Sequence, residues 1–196
     1  MANPIILAAK FRIKFRDVFD MKNFYTMIHD WVLDNDWQDR KGDKDHFEIL
    51  FIERILADGA KEQHIWWRIE KLPTAKNSYY KYLMDIDYKT IYMKETEIVV
   101  EGKKLKVNKG MVEVMIRSYI ELDYEGKWSS HPFLNFFKDI FRERIFKADL
   151  ESHKRELYRE SYILQGAMKK YLKLKGFLPE YRLEPFYPSE TYPTYK

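Results

Sequence analysis

From Lys10 the chain alternates strictly, with Lys10, Arg12, Lys14 and Arg16 separated by Phe11, Ile13 and Phe15. A period of two predicts a strand over residues 5–16 with one buried and one solvated face. The period then changes. Phe24, Met27, Ile28, Trp31 and Val32 recur at helical spacing behind Asp20, whose carboxylate suits an N-cap, so a helix is expected over residues 20–33. The polar stretches 34–36 and 38–43 read as an exposed loop that ends it.

A run of strands is expected next. Residues 47–56 read as a strand, Asp58-Gly59 as a hairpin turn, and 63–70 as the return. Within the return, Trp66-Trp67 must split between the two faces, one ring in the core and the other free to anchor an interface. Residues 73–78 read as a loop. The strand 79–91 sets Tyr80, Tyr82, Met84, Ile86 and Tyr88 on one face and Asp85 and Asp87 on the other. Residues 97–107 read as a separate hairpin turning at Glu101-Gly102-Lys103-Lys104. In the longest strand Val112, Val114, Ile116, Ile120 and Leu122 share one face. Met111, Glu113, Met115, Arg117, Tyr119, Glu121 and Asp123 share the other. Strands joined by short connections predict an antiparallel sheet of about five to seven strands.

After Gly126 the pattern turns helical. Ser129 or Ser130 is the expected cap of a helix with Pro132 in its first turn, followed by an apolar stripe of Phe133, Phe136, Phe137, Ile140, Phe141 and Ile145. Leu150, Leu157, Leu164 and Tyr171 then recur every seven residues, with Met168 between them and Gly176 as the expected stop. Three heptads are the minimum for a coiled coil, and packing onto the sheet is the preferred expectation. The prediction is one α+β domain over residues 1–176, a sheet region (5–128) followed by C-terminal helices (129–176). Residues 177–196 hold four of the seven prolines and read as an extended arm. The arm either packs on its own domain or reaches a neighbour through Phe186, Tyr187, Tyr192 and Tyr195.

Composition narrows the function classes. A length of 196 residues with 45% hydrophobic and 34% charged residues supports one packed core and excludes wholesale disorder. The absence of cysteine excludes disulfides, thiolate nucleophiles and cysteine-built zinc sites. The N-terminal apolar run is short and its charges follow rather than precede it, and no apolar stretch approaches the ~20 residues of a membrane span. A soluble cytoplasmic protein is therefore expected. The net charge of +4 permits a nucleic-acid partner without requiring one, and a Lys-, Arg- and Glu-rich chain also suits a heat-adapted proteome.

Three sets of side chains carry candidate chemistry. His46 lies near Asp43 and Asp45, but the five histidines fall in different elements with no metal-ligand spacing, so neither metal nor cofactor is expected. Asp85, Asp87, Glu113, Arg117 and Glu121 would share a polar sheet face if their strands are neighbours. That geometry suits acid–base work or a divalent cation, and equally a solvated face of cross-strand ion pairs. Lys10, Arg12, Lys14 and Arg16 form a basic stripe, with Lys103, Lys104, Lys106 and Lys109 and then Lys169, Lys170, Lys173 and Lys175 as companions. The stripe suits phosphate binding, or protects an exposed strand edge; edge protection is preferred.

The stretches MIHDWVLDNDW (27–37), IWWRIEK (65–71), YYKYLMDIDY (79–88), YIELDY (119–124) and HPFL (131–134) resemble a group of uncharacterised small archaeal proteins. The resemblance implies a cytoplasmic archaeal protein and transfers no functional residue. The order of elements is also similar to helix-grip (START-like) ligand-binding domains. With no catalytic signature, the leading expectation is a non-enzymatic interaction protein that self-associates. The alternatives are a basic nucleic-acid-binding module, or a hydrophobic-ligand or enzymatic domain with a pocket between sheet and long helix, beneath Tyr80, Tyr82 and Met84.

Overall fold

The opening alternation becomes strand β1 (Ile5–Phe19) in a computed structural model that describes residues 4–42, 46–73, 79–100, 103–131 and 147–174. Helix α1 (Met21–Asp34) follows, then strands β2 (Gln38–Asp39), β3 (Glu48–Ile55), β4 (Lys61–Lys71), β5 (Tyr80–Val100) and β6 (Lys103–Leu122). A single helical turn α2 (Lys127–Ser130) and the long helix α3 (Lys147–Tyr171) complete the described elements. The sheet runs β1-β6-β5-β4-β2, with β3 also paired to β4, and every pairing is antiparallel. The α+β class and the six strands agree with the sequence expectation.

The two faces of the sheet separate by alternation. Phe11 and Ile13 of β1, Ile65, Trp67 and Ile69 of β4, Tyr82, Met84 and Ile86 of β5, and Val114 and Ile116 of β6 form the core side. Helices α1 and α3 cover that side with Phe24, Ile28, Val32, Leu157, Leu164 and Met168. Burying each leucine contributes about 1.5–3 kcal/mol, which is what attaches α3 to the sheet rather than to a coiled-coil partner. A buried polar contact lies within this layer: Ser161 donates to the Leu157 carbonyl at 2.7 Å and meets Ser118 of β6 at 2.7 Å.

Helix ends follow local chemistry. Asp20 accepts the Asn23 amide at 3.0 Å, as an N-cap should. Asp36 ends α1 in the left-handed region at φ 58°, while the Trp37 and Asp36 amides return to the Val32 and Leu33 carbonyls. This double closure lets Val32 and Trp37 bury together. The same closure ends α3: Lys173 sits at φ 51°, and the Leu174 and Lys173 amides bond the Lys169 and Lys170 carbonyls.

Several sequence expectations need correction. The strand 79–91 and the hairpin 97–107 are not separate, because β5 and β6 run continuously through both. The register steps from Ile91↔Met111 to Lys94↔Lys109, so Tyr92 and Met93 together oppose Gly110. A bulge absorbs what reads in sequence as a break. The loop after α1 contains the short strand β2, held by pairing with Ile69 and Glu70 that no local pattern encodes. Ser129 and Ser130 lie inside α2, whose N-terminal flank is Gly126 at φ 68°. Helix α3 stops at Tyr171, earlier than Gly176 suggests, because Lys173 adopts the terminating conformation. The stripe 133–145, Gly176 and the arm residues Phe186, Tyr187, Tyr192 and Tyr195 lie outside the described residues, as do Asp43 and Asp45.

Candidate functional site

The face of the sheet opposite the helices is an ionic lattice. Cross-strand register places Lys10, Arg117, Asp85 and Arg68 in one row across β1, β6, β5 and β4. The adjacent row is Arg12, Met115, Asp87 and Trp66, and the next is Lys14, Glu113, Lys89 and His64. Asp85 is approached by Arg68 Nε at 3.3 Å, by Arg40 Nη2 at 3.3 Å and by Arg117 Nη2 at 3.8 Å. Asp87 accepts from Arg68 Nη1 at 2.7 Å and Arg117 Nη2 at 2.5 Å. Glu113 is shared by Arg12 at 3.1 Å and Lys14 at 3.1 Å.

The sequence-predicted sets therefore converge on one face. Lys10, Arg12 and Lys14 join Asp85, Asp87, Glu113 and Arg117, while Glu121 lies toward the far end, opposite Ile5 and Lys81. Lys109 follows the same alternation, but Lys104 and Lys106 fall on the other side, and Lys169, Lys170 and Lys173 end a helix that packs on the core side. Three basic clusters do not make one surface. Arg68 and Arg40 escaped the sequence argument. Arg68 shares parity with Trp66 and was within reach of it; Arg40 requires the β2 pairing. Because each aspartate already carries at least two guanidiniums, neither has the open coordination of a general base or a cation ligand. Among the described residues no cluster of three or more His, Asp and Glu side chains fits a metal ion.

A second polar set joins α3 to the sheet. The Tyr82 hydroxyl donates to Glu156 at 2.8 Å and meets His153 Nδ1 at 2.7 Å. With its one proton on Glu156, Tyr82 accepts from the ring, which assigns the His153 proton to Nδ1. The Tyr80 ring lies 4.5 Å from the His153 ring. Burial, then the bond to Glu156, raises the Tyr82 hydroxyl well above the ordinary tyrosine value. A proton held that firmly fastens a helix to a strand and is a poor acid. Nearby, Glu160 accepts from Trp37 Nε1 at 2.9 Å and from Lys71 Nζ at 2.9 Å. The spacing Asp149, His153, Glu156 on one helix face was the available sequence signal.

Tyr82 and Met84 are closed in beneath α3. Open cavities occur elsewhere: one of about 630 Å³ at the β5 bulge, lined by Arg16, Tyr92 and Lys109, and one of about 500 Å³ between α1 and β3, lined by Tyr25, Phe51 and Met93. Beside the bulge, the bond from Tyr92 and the proximity of Lys94 hold the Asp58 carboxyl at about 2.

The two long edges of the sheet differ sharply. β1 carries Lys10, Arg12, Lys14 and Arg16 along its length. β3 reads EILFIERI, and Ile49, Phe51, Ile52 and Ile55 are 57%, 57%, 50% and 64% exposed. Its only pairing among the described residues is with β4. No helix among the described residues is long and apolar enough to cross a membrane. No protein-family model and no curated protein matches the chain.

Proposed function

We propose that this is a non-enzymatic interaction protein that self-associates by pairing the β3 edges of two copies into one continuous sheet. The observation that carries the reading is the exposed apolar strand Glu48–Ile55, with one side unpaired among the described residues, opposite an edge guarded by four cations. An unguarded edge offers a row of amides and carbonyls to another strand, and natural sheets protect such edges unless they are used. An antiparallel pair about a two-fold axis at Phe51 sets Phe51 beside its copy and Leu50 beside Ile52 of the partner subunit. A register centred on Glu53 would instead oppose like charges.

The cysteine-free chain makes the test clean. Opposed residues of antiparallel strands lie ~4.5–5.5 Å apart at Cα, inside the range a disulfide spans. Phe51→Cys is therefore expected to form an interchain disulfide on mild oxidation, while Ile163→Cys on the exposed face of α3 forms none. By sedimentation equilibrium, Phe51→Lys weakens the dimer at least ~10-fold with unchanged circular dichroism, and deleting residues 177–196 leaves it intact. A wild-type chain that is monomeric up to ~100 µM would sink the proposal.

A further inference from the structure

The ionic face supports an inference independent of the β3 edge. We infer that it binds single-stranded nucleic acid, with phosphates along Lys10, Arg12, Lys14 and Arg16 of β1 and a base stacked on Trp66 of β4.

The carboxylates at the centre are outnumbered by their cations: Arg40, Arg68 and Arg117 share Asp85 and Asp87, and Arg12 and Lys14 share Glu113. Lys10 stands opposite Arg117 with no ion pair among the described residues. The face thus stays positive after its internal pairs are made. The carboxylates also fix the arginines in place without exhausting them. Arg117 makes both of its contacts through Nη2, and Arg40 makes its contact through Nη2, leaving Nη1 of each planar group unspent, while Arg117 Nε is buried.

Trp66 is 40% exposed on this face, and the Arg68 guanidinium carbon stands 5.6 Å from its ring centroid. Trp67, the adjacent residue, is fully buried in the core, so Trp66 is not needed to complete packing. An exposed indole whose neighbours are held arginines is what single-strand sites use to stack a base and neutralise its phosphate. Tyr119, half-buried on the same face, offers a second ring. Three strand spacings separate β1 from β4, ~14 Å, within reach of the ~4 nucleotides that the smallest single-strand sites hold. Duplex DNA is the weaker fit because its stacked bases hide the ring faces that Trp66 would engage.

The experiment measures fluorescence anisotropy of a labelled mixed-sequence single strand of ~12 nucleotides, titrated with the full chain at ~50 and ~200 mM salt. The same-sequence duplex and dextran sulfate serve as competitors. Saturable binding is expected, with log K falling against log salt at a slope of about −2 to −3 for three or four phosphates. Trp66→Ala is expected to weaken binding ~10-fold or more at an unchanged slope, because stacking is not ionic. The quadruple variant Lys10→Gln, Arg12→Gln, Lys14→Gln, Arg16→Gln is expected to flatten the slope. Both variants alter exposed positions, and circular dichroism checks their fold. No binding at ~50 mM salt overturns the inference. So does preference for the duplex, or a Trp66→Ala chain that binds as well as wild type, which would indicate adsorption of any polyanion.

Discussion

Any side chain at Gly110 is expected to destabilise the fold, and the reason is the bulge that keeps β5 and β6 continuous. A Cβ built there would stand 2.8 Å from Met93 Cα, 2.9 Å from the Tyr92 carbonyl oxygen and 3.2 Å from the Ile91 carbonyl oxygen. Carbon atoms prefer separations of ~3.5–4.0 Å, and all three neighbours are backbone, so no rotamer change relieves the contact. Tyr92 is already at φ 52°, a conformation unusual for a tyrosine, which leaves the bulge little freedom to open. Overpacking of this kind costs ~1–3 kcal/mol, offset by ~0.4–1 kcal/mol from the stiffer unfolded chain. Gly110→Ala should therefore lose about 1–2 kcal/mol, lowering Tm by ~3–6 °C for a chain of this size. Gly166 supplies the control. It lies in α3 with nothing within 4 Å of a new Cβ, so Gly166→Ala should gain ~0.5–1 kcal/mol from helix propensity. Differential scanning calorimetry of both variants decides the matter. A Gly110→Ala chain as stable as Gly166→Ala would refute the bulge geometry.

Two further outcomes follow from the buried layer. Because the Ser161 proton is spent on the Leu157 carbonyl, Ser118 must donate to Ser161. Ser161→Ala then strands a buried hydroxyl at a cost of ~1–3 kcal/mol, and the double variant with Ser118→Ala should cost less than the two single changes together; strict additivity in urea melts would contradict the pairing. Burial raises the hydroxyls of Tyr80, Tyr82 and Tyr88 above their ordinary value. A folded value above the unfolded value of ~10 gives stability that is whole below that pH and lost as pH rises through it. Absorbance at 295 nm should show these tyrosines ionising only as circular dichroism reports unfolding; smooth ionisation of all fifteen tyrosines with the fold intact would refute it.

The local periods were enough to place α1, β1, β3, β4 and α3, and to sort Tyr82 from Asp85; they put Trp66 and Trp67 on opposite faces, and the fold decided that Trp67 is the buried one. Each of these rests on a repeat of two or of three to four residues, which the chain carries in its own order. The cap at Asp20 belongs with them, since its partner is three residues away. Arg40, His153 and Gly110 do not. Arg40 meets Asp85 across 45 residues, Tyr82 meets His153 across 71, and the bulge opposite Gly110 exists only where two long strands lie side by side.

The candidate surfaces divide in the same way. The sequence determined that Lys10, Arg12 and Lys14 face away from Phe11 and Ile13, because a pleated strand permits nothing else. Only the tertiary structure decided that this basic stripe shares a face with Asp87 and Trp66, since strand order and register depend on hydrogen bonds between distant segments. It likewise decided that the apolar run of β3, which the sequence reads only as a strand, lies at an edge whose one pairing among the described residues is with β4. Burial is a property of neighbours, and a strand cannot specify its neighbours from within.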